Sequence, residues 1–393
     1  MTTATLPHTT PTRLLTPGFI RLLAVDLGAM TGFYLLLAVV PMHAAAHGAD
    51  GLGAGLTTAV LMFAAVAGEL VTPRIASRFG YRRLLVVGLV LLGAPAIALL
   101  WLSGLGTMLL VGVVRGLGFA IVVTATGALA ASTLPVERRG EGLGLLGVVS
   151  MVPAVTALPA GVWLAEALGA SAAFVLGAAA VLAVVPVCLG LPRDPVADRS
   201  AGHAGIGSLV SRPGGLAPAV VFAVAAVAGG AVVTFLPDAV SAHAGLAALA
   251  LFVQALTATA ARYLGGRWSD RRGPHALLLP GVALSAGGMG LAALVGSPVA
   301  VLLGMAVFGT GFGLVQTASL NLMLAAATPA QYGAVSAVWN VAYDLGWGLG
   351  AAAVGLLVTS VGTPVAFAAT AALVAFVLPA ASCVGRRPVR TAA

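Results

Sequence analysis

Residues 74–85, RIASRFGYRRLL, return as residues 267–278, RWSDRRGPHALL. Arg74, Arg78, Gly80, Leu84 and Leu85 fall on Arg267, Arg271, Gly273, Leu277 and Leu278 at a single offset of 193. In the same register Gly116, Gly118, Phe119 and Thr124 fall on Gly309, Gly311, Phe312 and Thr317. Small and apolar matches come easily in this chain, but arginine is scarce, so the paired arginines carry the inference. The chain is built as two related halves.

Composition says what the halves are made of. Of 393 residues, 60% are hydrophobic and only 8% charged, and the mean hydropathy is +1.09. Soluble domains carry about 25% charge and about 45–50% apolar residues. A water-soluble globule of this composition would expose large apolar patches and aggregate. That excludes a soluble enzyme or a nucleic-acid binder, despite a formal net charge of +8. All 19 basic residues are arginines, and the two cysteines, Cys188 and Cys383, make no disulfide framework.

Twelve apolar runs reach the roughly 20 residues that cross about 30 Å of hydrocarbon. They lie near 19–41, 52–72, 84–102, 106–131, 142–167 and 171–191, then 215–237, 244–265, 276–296, 299–327, 334–360 and 364–384. The runs are continuous rather than alternating, which selects helices over a barrel. The expectation is an all-α membrane protein of two pseudo-symmetric six-helix bundles, 19–191 and 215–384. A linker at 192–214 joins them, and tails cover 1–18 and 385–393. Ala44-Ala45-Ala46 resembles a signal cleavage site, but the first span is too long for a signal core and contains Asp26.

Arginine placement sets the orientation. Arg13, Arg21, Arg74, Arg78, Arg82, Arg83, Arg138, Arg139, Arg193, Arg199, Arg212, Arg267, Arg271, Arg272, Arg386, Arg387 and Arg390 gather at alternate helix ends, and the opposite connections have none. Both termini are expected on the cytoplasmic side of the plasma (inner) membrane. The arginines there face anionic lipid headgroups. Net charge is thereby a topology signal, with no nucleic-acid partner implied.

The loop at 73–83 and its copy at 266–273 resemble the signature G-x-L-x-D-R-x-G-x-R-R of the major facilitator superfamily. Gly266-Arg267-Trp268-Ser269-Asp270-Arg271-Arg272-Gly273 fits it apart from Trp268; the first copy has Pro73 for Gly and Ser77 for Asp. Arg115-Gly116-Leu117-Gly118 resembles a shortened span-4 motif of the family. Pro153 with Leu158-Pro159-Ala160-Gly161 is similar to the span-5 element of proton-driven antiporters, which would let that helix flex. The resemblance implies a twelve-helix fold rocking about a central cavity, most like the proton-coupled drug and small-molecule exporters. It also implies a cytoplasmic gate built from Arg74, Arg78, Gly80, Arg82, Asp270, Arg271 and Gly273. In that gate Asp270 would meet the start of span 5 near Arg138 and Arg139, while Ser77 meets span 11. Topology alone also accounts for the arginines.

Charges within spans are functional candidates, because each costs at least about 2.5–3.5 kcal/mol at a helix centre unless paired or hydrated. Asp26 lies roughly 10 Å deep in span 1 and Arg115 roughly 16 Å deep in span 4, at about 1.5 Å per residue. Those depths permit an ion pair, either functional or fixing helix packing. Asp344 falls near the middle of span 11, with Asn340 one turn away on the same face and Tyr343 beside it. A carboxylate deprived of water can load and release a proton, the chemistry of a coupling site; the alternative is an Asp fixed by helix ends at the gate. Gly346, Gly348 and Gly350 would admit a neighbouring helix. Gln316 is a candidate cavity hydrogen-bonding group, and Phe33 and Tyr34 are candidate aromatic surface. Glu69 and Arg262, again 193 apart, are expected to snorkel to the inner interface.

No nucleotide-binding loop or metal-ligand spacing occurs. The sequence therefore points to a secondary transporter, not an enzyme, working as a monomer without a cofactor and with the proton gradient as energy source. Proton-coupled export of a small organic molecule comes first. A symporter or uniporter importing a small solute comes second, ahead of a membrane sensor or enzyme.

Overall fold

The computed structural model describes residues 14–135, 138–191, 216–328 and 331–384. The proposed linker, most of both tails, and Arg13, Arg193, Arg199, Arg212, Arg386, Arg387 and Arg390 lie outside these. Among the described residues twelve helices are long and apolar enough to cross a membrane: α1 Pro17–Ala46, α2 Gly51–Phe79, α3 Tyr81–Leu100, α4 Leu105–Thr133, α5 Arg139–Leu168, α6 Ala170–Cys188, α7 Ala217–Ala239, α8 Leu246–Arg272, α9 His275–Ala292, α10 Pro298–Ala325, α11 Tyr332–Val361 and α12 Thr363–Val384. The chain is an integral, multi-pass, all-α membrane protein.

Local chemistry sets the ends and breaks. Thr16 and Asp50 cap α1 and α2, their side chains accepting from Phe19 N at 3.2 Å and Gly53 N at 2.7 Å. Proline removes a donor from the helical ladder. Near Pro41 the ladder of α1 is interrupted at Ala38, and from Ala94, with Pro95 next, α3 tightens into 3-10 geometry. Gly80 and Gly273 end α2 and α8 at φ of 85° and 81°, where a side chain would be strained. Gly169 and Gly362 do the same after α5 and α11, at 88° and 82°. These four turns are two pairs, each 193 residues apart.

The repeat is also visible in packing. The first bundle places α1 on α5, α3 on α4 and α2 on α4; the second places α7 on α11, α9 on α10 and α8 on α10. A Cβ on Gly116 would strike the Leu61 carbonyl, and one on Gly309 would strike the Gln254 carbonyl. Gly118 likewise abuts the backbone of Leu92 and Gly88, and Gly311 that of Ser285 and Gly281. Each contact recurs at the same offset, so the repeated glycines are the points where helix backbones touch.

The bundles meet along two seams, α2 against α11 and α5 against α8. At the end away from the described arginine-rich loops, Gly55 lies on the Ala351 carbonyl and Gly51 on Gly355 and Val358. Leu52 N donates to Thr359 Oγ1 at 2.9 Å, Thr234 Oγ1 donates to Thr58 Oγ1 at 3.1 Å, and Gly245 N donates to Glu166 Oε2 at 3.0 Å. That end is sealed.

Candidate functional site

Between the bundles lies a cavity of about 420 Å³. Its lining comes from the arginine-side parts of the helices, with Leu143 and Gly147 from the first turns of α5 and Ser336 and Asn340 from those of α11. With the far end sealed, it faces the arginine-rich side. Asp26 and Tyr34 of α1, Glu69 of α2, Arg262 of α8, Gln316 of α10 and Asn340, Tyr343 and Asp344 of α11 all line it. Six sequence-derived candidates thus converge on one space: Asp26, Tyr34, Gln316, Asn340, Tyr343 and Asp344.

The polar groups differ in how they are satisfied. Asp26 is 3% exposed, and its Oδ2 accepts from the Ser150 hydroxyl at 2.5 Å. Asp344 is 4% exposed, and no hydrogen bond reaches its carboxylate from the described residues. The Oε1 of Gln316 is buried and also has no partner among them. Arg262 donates to Met151 Sδ at 3.0 Å. Counted by formal charge, the lining holds three carboxylates and one guanidinium.

The second bundle supplies an aromatic wall. Trp339 stacks on Phe222 with ring centres 4.5 Å apart and is fixed by donating from Nε1 to Ser319 Oγ at 3.0 Å. Tyr343 stacks on the same Phe222 at 5.7 Å. Gly346 and Gly350 lie against α7 carbonyls of Ala223 and Val227, and Gly348 against the Phe63 ring of α2. Those three glycines hold α11 between two helices and so set the depth of Asp344.

Several expectations change. Arg115 does not pair with Asp26: its Nε donates to the Leu92 carbonyl at 3.1 Å and its Nη2 to that of Gly32 at 3.3 Å. It is 1% exposed and lines a separate crevice with Thr57, Thr58 and Val111. Similar depth put the two residues level, but the helix face of Arg115 turns it into the first bundle. Glu69 and Arg262 do not simply snorkel; both line the cavity, because α2 and α8 are the seam helices. Phe33 lies behind the lining, stacked on Phe119 at 4.0 Å and edge-on to Tyr34 at 5.1 Å. Pro153 and Pro159 are buried inside α5, and a Cβ on Gly161 would strike the Leu35 carbonyl of α1.

The loop motif is disengaged. Asp270 is exposed and forms no ion pair among the described residues; Arg138 instead pairs with Glu141 at 2.8 Å, so the contact at the start of α5 is absent in this conformation. Arg74 donates to Leu70 O at 3.0 Å, Ser77 to Arg74 O at 2.7 Å, and Arg78 lies over the Phe79 ring. Arg271 is exposed. Arg82 donates to the Cys188 carbonyl at 3.1 Å and to that of Leu189, while Arg21 donates to Gly190 O at 2.8 Å. These cations satisfy the open carbonyls at the end of α6. Glu166, Thr58, Thr234 and Thr359 were not singled out from sequence, since single hydroxyls and an outer glutamate carry no motif.

Comparison with known proteins agrees with this architecture. The family model described as Major Facilitator Superfamily matches residues 22–351 and 219–393. No curated protein sequence matches. Among solved structures, the nucleoside transporter NupG superposes with a TM-score of 0.77 at 13% identity, covering 94% of this chain and 99% of that one. A bacterial homologue of the human lysosomal transporter Spinster, in an inward-facing and unoccupied conformation, gives 0.77 at 15% identity, covering 96% and 98%. The D-xylose-proton symporter gives 0.73 at 15%, covering 92% and 96%. These likenesses are of fold. With the family match spanning nearly the whole length, this chain belongs to the Major Facilitator Superfamily, whose members are transporters of small molecules and not enzymes.

Proposed function

We propose that this protein is a proton-coupled exporter of small organic molecules that carry a positive charge on an apolar, aromatic-compatible body. One observation carries the reading. Asp26 from the first bundle and Asp344 from the second face a single cavity that is sealed at one end. Three carboxylates against one guanidinium favour a cation, and the Trp339–Tyr343 wall offers ring faces to it. A proton and an organic cation would each neutralise carboxylates of this one cavity, so binding of either disfavours the other. Such competition is what exchange requires, because the cavity then changes sides loaded with one or the other.

In this account the arginine-rich face is cytoplasmic, the membrane is the plasma membrane, and the structure is inward-facing. The arginines hold that face against anionic headgroups. Outward opening separates Gly51 and Gly55 from α11 and Glu166 from Gly245. At the other end it brings the two loop motifs onto α5 and α11, Asp270 meeting the partial positive charge of the α5 N-terminus. Import with protons is the competing direction.

The test is the movement of ethidium, a permanent cation, in proteoliposomes carrying an imposed pH gradient. Asp26→Asn and Asp344→Asn are each expected to abolish gradient-driven movement. Undiminished movement in both would sink the assignment of the cavity.

A further inference from the structure

We infer that Glu69 and Asp344 form one proton-binding pair across the α2–α11 seam, whose protonation lets the bundles close over the cavity. The inference rests on the transport reading above and assigns the proton to a site apart from Asp26. The seam is antiparallel: Gly51 lies on Gly355, Gly55 on Ala351 and Phe63 on Gly348. Continued inward, that register leaves Glu69 and Asp344 about two turns apart along the seam, and because helical side chains lean toward the N-terminus of their own helix, the two carboxyls project toward one another, one from each bundle. Both line the cavity.

Neither carboxylate has a hydrogen-bond donor among the described residues, although Asp344 is 4% exposed. A second unpartnered group, Oε1 of Gln316, is buried in the same cavity. Two ionised carboxylates facing one cavity in a membrane interior repel each other. One proton from cavity water, held between them, removes the repulsion and supplies the missing donor. Asp26 differs: the Ser150 hydroxyl already stabilises its charge, which leaves it suited to the organic cation.

The other groups facing the pair are few. Asp26 and Tyr34 project from α1, Tyr343 from α11 itself and Arg262 from α8. Arg115 of α4 is turned away. Asp238 of α7 and His43 of α1 sit at the sealed end, while Tyr81, Arg82 and Arg83 of α3 sit at the loop. Helix α10 contributes no titratable side chain, and α12 contributes only Cys383, exposed in its last turn. Arg262 is tied to Met151 across the other seam. Loss of repulsion at Glu69–Asp344 therefore acts on the α2–α11 seam.

Spin labels at Gly140→Cys and Gly333→Cys report the mouth, since both positions have open space and head α5 and α11 from opposite bundles. Cys188 and Cys383 are replaced in this background, and distances are measured in nanodiscs over a pH series. Acidification is expected to shift the population toward the short, closed distance. Glu69→Gln and Asp344→Asn are each expected to remove the pH dependence. A pH response intact in both, or lost in Asp26→Asn alone, would overturn the pair. Labels that never move, at any pH or with ethidium, would instead overturn the transport reading. If Asp344→Asn does not fold, infrared difference spectra of the wild type and Glu69→Gln decide. The protonated-carboxyl signal that appears on acidification must change in Glu69→Gln, and an identical signal contradicts the pair.

Discussion

Ser150 donates its hydroxyl to Asp26 at 2.5 Å, joining α5 to α1 within the first bundle at the wall of the cavity. The bond gives Asp26 a donor that Asp344 lacks. A hydrogen bond to a charged group contributes about 1.5–3 kcal/mol. Ser150→Ala is therefore expected to weaken ethidium binding and its exchange while leaving the fold intact. Titrating ethidium binding by fluorescence checks this, and unchanged affinity would remove Ser150 from the site.

Arg115 serves the first bundle, not the cavity. Its bonds to the carbonyls of Gly32 and Leu92 tie α1, α3 and α4 together. Each such charge-assisted bond is worth about 1.5–3 kcal/mol, so Arg115→Leu is expected to lower the thermal unfolding temperature in detergent. Transport per folded molecule should survive. A variant that melts like the wild type yet loses proton coupling would restore the Asp26–Arg115 pairing that sequence depth had suggested.

The sealed end has its own test. A Cβ on Gly55 would strike the Ala351 carbonyl, and over-packing of this kind costs about 1–3 kcal/mol. Gly55→Val should therefore hold the seam apart and favour the outward-facing state. Glu166→Gln, which weakens the bond to Gly245 N, should act in the same direction to a smaller extent. A cysteine placed at Thr58 reads the outcome, becoming reactive to a membrane-impermeant maleimide in both backgrounds. Protection equal to the parent would contradict the seal.

The loop motif acts in the state opposite to this one. Asp270→Asn is expected to slow exchange and leave membrane insertion and melting temperature unchanged, because Asp270 has no ion-pair partner among the described residues. Normal kinetics in the variant would confine the motif to topology.

The architecture was readable because hydropathy reports burial in lipid directly, and because Arg74–Arg267 and Gly116–Gly309 fixed a repeat. The positions of Asp26, Asp344 and Asn340 at the cavity were legible from depth and helix face. Depth alone misled for Arg115, since two residues at one level can point into different spaces. It failed again for Glu69 and Arg262. Their distance from the helix ends suits snorkelling, and only the seam between bundles places them in the cavity. The outer seal was invisible: Thr58, Thr234 and Glu166 gain meaning from contacts between halves distant in sequence.

Proteoliposomes with an acidic lumen separate exchange from co-transport. With the membrane potential clamped, ethidium outside and protons leaving the lumen, exchange predicts accumulation of ethidium inside. Glu69→Gln and Asp344→Asn should abolish that accumulation. Ethidium that instead accumulates only in vesicles with an alkaline lumen, entering together with protons, would contradict the account and establish symport.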